Sequence, residues 1–296
     1  MNNYSALQRF LHRTVLSSQL IREIMFDVEQ SIFLKKDDNF DDNHVFVAGL
    51  ARSGTTILLN AIYQSNQFAS LTYDDMPFIL APNLWGKINR KSTHGEAKER
   101  AHGDGVRVST NSPEAFEEVF WKTFSDDLII REELFIKFIL LILKKNNKTR
   151  YLSKNNQNIR RLDLISEIFP HSKILIPFRD PLQQALSLFS QHMKFVKKQN
   201  QDTFVRDYMK WIGHSEFGLD YKMIHPSNLL YPNEKEFNHW LEQWYLTYKT
   251  ILELSVKHEE FYLIGYESLC NNPKVWVNIK DLLGINQETK YLFKET

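Results

Sequence analysis

No stretch of this sequence restricts the fold more than residues 44–63. An apolar run from His44 to Ala48, of strand length, breaks into a turn bounded by Gly49 and Gly54, and a helical period follows at Ile57, Leu58, Ala61 and Ile62. A strand feeding such a turn and then a helix points to a parallel α/β sheet. The turn also brings backbone N–H groups and the positive end of a helix dipole to a place where an anion can sit. The two glycines have the spacing of G-x-x-x-x-G-K-[ST], but Thr55 stands in the lysine position, Thr56 follows it, and Arg52 is the loop's one cation. A loop that handles the polyphosphate of ATP uses that lysine and magnesium to offset several charges. One arginine, two hydroxyls and an N–H cradle suit the smaller charge of a sulfuryl group without a metal ion. On these residues alone, a ligand-free strand-to-helix turn stays open as the other reading.

Composition narrows the field. The 296 residues are 43% hydrophobic and 13% aromatic, enough for a sizeable core. Basic and acidic residues number 37 and 36, a formal charge of +1, so no nucleic-acid footprint is indicated. The single Cys270 excludes an internal disulfide and a thiolate metal cluster. No stretch reaches the roughly 20 apolar residues of a membrane span. Arg9, His12 and Arg13 interrupt what a secretion signal would need as its apolar core, so the expected location is cytoplasmic.

Ahead of the first strand, Leu7, Leu11, Val15, Leu20, Ile24, Val28 and Ile32 approach a helical period, which predicts one long amphipathic helix or a helix pair. Packing on the main domain is the plain reading of that segment; contact with a partner or a membrane surface is the alternative. The acidic stretch from Asp37 to Asn43 reads as a linker, so the expected division is 1–43, helical segment and linker, and 44–296, one domain. Further strands are expected near 69–73, 150–153, 173–178 and 261–264. Together with the strand near 44–49 they predict a three-layer α/β fold with a mostly parallel central sheet and helices on both faces.

Ligands of such sheets sit at the carboxyl ends of the strands. Asp74 and Asp75 fall at one of those ends, although two adjacent aspartates taken alone read more readily as a turn or cap than as a base. Lys154 falls at another, and alone it reads as a surface lysine. Residues 85–111, polar and carrying His94, His102 and Asp104, read as a functional loop whose histidines lie too far apart for a metal pair. Ser112-Pro113-Glu114 predicts a helix opening at 114. Pro177 is expected at the last paired position of its strand, and Asp180 and Pro181 as the cap and first turn of the next helix. Residues 197–235 read as an irregular, substrate-side insertion, and a long helix is expected from about 234 to 258.

Four of these pieces together resemble the sulfotransferases that use 3′-phosphoadenosine 5′-phosphosulfate, over about residues 44–284. Arg52-Ser53-Gly54-Thr55-Thr56 resembles the family's R-S-G-T-T loop, which binds the 5′-phosphosulfate. Arg179-Asp180-Pro181 with Ser187 is similar to its R-D-P…S signature, in which arginine and serine hold the 3′-phosphate. Lys154-Asn155 with Asn158 and Arg161 resembles the K-N-P-x-N-x-x-R turn, whose lysine faces the sulfuryl group; Asn156 replaces the proline. Tyr266-Glu267-Ser268-Leu269 resembles Y-E-x-L, whose tyrosine approaches the nucleotide. Nothing matches the basic, glycine-containing C-terminal loop of the cytosolic branch; only Lys290 and Lys294 remain there.

The resemblance implies metal-free transfer to an acceptor hydroxyl; the polar and aromatic insertions at 85–111 and 197–235 suit a sugar, with a lipid, a small metabolite or a peptide tyrosine left open as acceptor. It also implies a carboxylate base, as in the tyrosylprotein and bacterial branches, drawn from Asp75 or, next, Asp74, with His94 or His102 behind them. Arg52 and Lys154 would meet the developing charge. A P-loop kinase or ATPase, and a nucleotide-binding module without catalysis, are the alternatives.

Overall fold

The computed structural model describes residues 6–36, 38, 41–89, 98–99, 107–109, 111–124, 128–227 and 229–294. The chain begins with a helix pair, α1 (Ala6–Ser17) and α2 (Gln19–Phe33). Ser18 separates them: its backbone is extended, and its hydroxyl accepts the Ile21 N–H as an N-cap. The expected apolar face is only half used. Val15 and Leu16 pack inward, but Leu20, Ile24, Val28 and Ile32 point outward, and α2 buries Arg22, Phe26 and Glu29 instead. Periodicity counts Arg22 and Glu29 as polar and cannot see that both bring partners. Arg22 donates to Thr123 Oγ1 at 2.7 Å, and Glu29 accepts the N–H groups of Asn83 and Leu84.

The sheet follows. β1 (Val45–Val47) leads through the glycine-bounded turn into α3 (Thr55–Tyr63), then to β2 (Phe68–Ala69) and α4 (Pro82–Ile88). A short antiparallel strand pair, β3 (Lys98–Glu99) with β4 (Arg107–Val108), precedes α5 (Glu118–Thr123) and α6 (Leu128–Asn146). β5 (Arg150–Lys154), α7 (Leu162–Ile168), β6 (Lys173–Phe178), α8 (Pro181–Gln201) and α9 (Thr203–Trp211) come next. The chain closes with α10 (Phe237–Ser255), β7 (Phe261–Gly265), α11 (Tyr266–Asn271) and α12 (Pro273–Leu283). Five strands pair in parallel in the order β2-β5-β1-β6-β7, so the predicted three-layer parallel α/β fold is what forms. Side chains alternate between two cores: Val45, Val47 and Leu175 join Leu58, Leu59 and Ile279, whereas Phe46, Ile174 and Ile176 join Phe135, Phe138 and Ile251. β1 lies between strands reached in opposite directions, and a crevice opens at the carboxyl ends of a parallel sheet at such a switch point.

Several boundaries differ from expectation. β2 stops at Ala69, and a 3-10 turn occupies Tyr73–Asp75. Trp85 lies in α4, so the polar loop begins later than expected; His94, His102 and Asp104 lie outside the described residues. Residues 112–114 do not open a helix, because they pair with the segment after β2: Pro113 bridges to Thr72, and the Glu114 N–H donates to Leu71 O. The insertion expected to be irregular is helical to Gln201 and again over α9. Pro177 pairs with Ile264 one residue before the strand ends, and β1 has by then left the sheet, so no ladder bond is lost on that side.

Candidate functional site

The turn after β1 is held in a shape that few residues tolerate. A Cβ at Gly49 would come within 2.9 Å of Pro177 O, so only glycine lets the loop lie against β6. Arg52 is left-handed, with φ 67°, a conformation that costs a non-glycine residue about 1–2 kcal/mol. Gly54, with φ 93°, opens α3, and a side chain there would overlap the Tyr266 ring. Thr55 and Thr56 are buried in the first turn of the helix, with Thr55 Oγ1 3.4 Å from Asn156 Oδ1, and Ser53 Oγ donates to Leu50 O at 2.8 Å.

Distant segments close around this turn. Arg52 Nε donates to Ser187 Oγ at 3.0 Å, joining the loop to the second turn of α8. The Asp180 side chain caps α8 by accepting the Gln183 N–H at 2.9 Å, as expected of it, and Pro181 occupies the first turn. Just before that cap, the Arg179 guanidinium sits 5.3 Å from the centre of the Tyr266 ring. Its Nη2 donates to Gln183 Oε1, while its Nε is buried 3.8 Å from Glu267 Oε1 with no hydrogen-bond partner among the described residues. Tyr266 thus bridges Gly54 and Arg179 with its ring. Its hydroxyl donates to Lys294 O at 3.1 Å, and burial pushes that hydroxyl's pKa well above the ordinary tyrosine value, so the ring and not the hydroxyl faces the loop.

Lys154 ends β5 opposite Val47 and is 8% exposed, which removes the surface-lysine reading. The turn after it is a 3-10 helix, Asn156–Arg161, opened by Asn155, whose Oδ1 accepts the Gln157 N–H at 3.0 Å. Two glutamates that sequence reasoning missed hold this turn. Glu117 accepts from Trp121 Nε1, Tyr151 OH, Ser153 Oγ and Asn158 Nδ2. Glu118 takes both ends of the Arg161 guanidinium, at 2.7 and 2.9 Å, and Asn155 Nδ2 as well. Burial raises the Glu118 pKa, and Arg161 beside it acts in the opposite direction. Proline is therefore not needed to shape the turn.

The two strand-end aspartates part company. Asp75 is 1% exposed and completes a capping box: its Oδ2 accepts the Thr72 N–H and hydroxyl, and its Oδ1 pairs with Lys145. Lys145 lies in the last turn of α6, just before β5, so both oxygens of Asp75 are engaged within the fold. Asp74 is half-buried; its carbonyl accepts from Trp85 Nε1 at 2.9 Å, and its Oδ1 lies 3.4 Å from Asn89 Nδ2. Asp75, the acid that the sequence ranks first, is thus a buried cap, and Asp74 is a half-buried residue held against α4.

A third missed residue is Gln184, fully buried in the first turn of α8, whose Nε2 donates to Ala51 O at 3.0 Å. The signal was a glutamine on the inward face shared by Ala185 and Leu188. The geometry as a whole gathers Arg52, Arg179 and Lys154 with the N-terminus of α3 at one rim, an arrangement suited to an elongated anion. Among the described residues no group of three or more His, Cys, Asp or Glu is arranged to hold a metal ion, and no helix is long and apolar enough to cross a membrane.

A family model described as the sulfotransferase family matches residues 44–234. Two solved structures are similar in fold. Sulfotransferase STF1 from Mycobacterium tuberculosis H37Rv has a TM-score of 0.58 at 12% identity, over 96% of this chain and 79% of that one. Sulfotransferase STF9 from Mycobacterium avium has a TM-score of 0.52 at 13% identity, over 96% and 75%. No curated protein matches the sequence significantly.

Proposed function

The chain belongs to the sulfotransferase family, and from that premise we propose that it moves a sulfuryl group from 3′-phosphoadenosine 5′-phosphosulfate to an acceptor hydroxyl, foremost of a carbohydrate, without a metal ion. The observation that carries this reading is the meeting of the Arg52 loop, the Arg179–Ser187 segment and the Tyr266 ring across more than a hundred residues of chain. Arg179 Nε, buried without a hydrogen bond among the described residues and only loosely paired with Glu267, can take a further acceptor of the kind a 3′-phosphate supplies. Ser187, tied to Arg52, continues that phosphate site toward the loop. Ser53, Gly54, Thr55 and Thr56 then receive the 5′ end on N–H groups at the start of α3.

In the reaction, the acceptor oxygen bonds to sulfur as the bond from sulfur to the 5′-phosphate oxygen breaks, and 3′-phosphoadenosine 5′-phosphate leaves. Arg52, Lys154 and the loop meet the charge that develops on the leaving oxygen. The acceptor's proton passes to Asp74, the carboxylate of the pair not consumed as a cap, which makes this a carboxylate-base enzyme.

Single-turnover transfer of labelled sulfuryl in the presence of chelator, against a panel of hydroxyl acceptors headed by sugars, tests the reading. Transfer without metal is expected. In Asp74→Asn the rate falls about 10²–10⁴-fold with donor affinity retained, whereas Asp75→Asn shows mainly as lost stability. Transfer of a γ-phosphoryl from ATP, or transfer only with magnesium, would restore the kinase reading.

A further inference from the structure

The cations at this rim come from separate segments, and their spacing must be set by something beneath them. Gln184 lies there. Its Oε1 accepts the Arg179 backbone N–H at 3.1 Å and the Trp244 indole N–H at 3.0 Å, while its Nε2 donates to Ala51 O at 3.0 Å. Two of the three partners are donors and one is an acceptor, so a carboxamide complements all three, and neither a carboxylate nor an aliphatic side chain can. The backbone of Gln184 is itself fixed by the Asp180 carbonyl at 2.9 Å. Ser187 follows three residues later on the same helix face, so one face of α8 grips the loop twice, at the Ala51 carbonyl and at the Arg52 side chain. Tyr248, one turn after Trp244 on α10, donates to Pro177 O at 2.9 Å and braces β6 from the same side.

We propose that Gln184 is a positioning residue for the donor, setting the Arg52 loop and Arg179 at the separation that spans its 5′ and 3′ phosphates. The inference rests on the donor reading above. It touches no reacting atom and acts through the backbone of Arg179, which binds, and of Ala51, the residue before Arg52. Loss of the carboxamide frees Ala51 O and the Arg179 N–H together, so the two phosphate subsites drift independently. The consequence falls on selectivity for the 3′-phosphate as well as on affinity.

Calorimetric titration with 3′-phosphoadenosine 5′-phosphate and with adenosine 5′-phosphate separates the possibilities, in wild type, Gln184→Met and Trp244→Phe. Wild type is expected to prefer the 3′-phosphorylated ligand. Gln184→Met, close in volume, should lose roughly tenfold or more in affinity for it and most of the preference. Trp244→Phe keeps the aromatic packing and removes one donor to Oε1, and it should show a smaller loss of the same kind. A variant that is merely less stable would bind with the wild-type preference once folded, and that outcome in both variants overturns the inference alone. Wild type that binds neither ligand overturns the donor reading and the inference with it.

Discussion

At the scale of single residues, the loop stores strain where it would bind. Arg52 in a left-handed conformation is unfavourable on its own and is maintained by the bond to Ser187 and the grip on Ala51. Arg52→Gly should therefore be more stable than Arg52→Ala by about 1 kcal/mol, since only alanine retains the backbone penalty. Both should lose donor affinity to a similar degree. Paired urea titrations and binding isotherms check this, and an alanine variant as stable as the glycine variant would remove the strain from the account. The arginine, the two threonines and both glycines of this loop stand out in the sequence because they fall in one short motif between an apolar run and a helical period. The fates of Asp74 and Asp75 were not, because the choice is made by Lys145, seventy residues away.

Among the elements, β5 and its turn depend most on residues outside them. Glu117 gathers four donors while 1% exposed, so Glu117→Ala leaves a buried cluster without its acceptor. Each unsatisfied buried group costs about 1–3 kcal/mol, and the expected loss is above ~2 kcal/mol by chemical denaturation, with Lys154 released from its turn. A variant within ~0.5 kcal/mol of wild type would mean that water replaces the carboxylate. Strands and long helices were readable because apolar runs and periods are properties of the chain itself. Their ends were less so: α5 starts at Glu118 because Pro113 and Glu114 are drawn into pairing with Thr72 and Leu71. The outward Leu20, Ile24, Val28 and Ile32 of α2 show the same limit, as a buried Arg22 and Glu29 with partners outweighed an aliphatic stripe.

On the scale of the whole molecule, buried histidines tie stability to pH. His44 is fully buried beside β5, its Nδ1 accepting the Tyr151 N–H, and burial brings its pKa down to about 3. Unfolded chains protonate histidine near pH ~6.5 and the folded one does not until near 3, so its contribution is fully present above ~6.5 and is lost as pH falls. The loss runs at about 1.4 kcal/mol per pH unit in that window. Burial raises the pKa values of Glu29 and Glu118, which act in the opposite sense, so the informative quantity is a difference between proteins. The stability of wild type relative to His44→Gln should decline by about that slope between pH 6 and 4; a constant difference would contradict a neutral buried imidazole. The central claim is that the rim binds an adenosine carrying phosphate at both ends, and titration calorimetry in chelator tests it most directly. Wild type should bind 3′-phosphoadenosine 5′-phosphate more tightly than adenosine 5′-phosphate by a factor matching about 1.5–3 kcal/mol, and Arg179→Ala should abolish that difference. Equal affinities in wild type, or tighter binding of magnesium ATP, would contradict it.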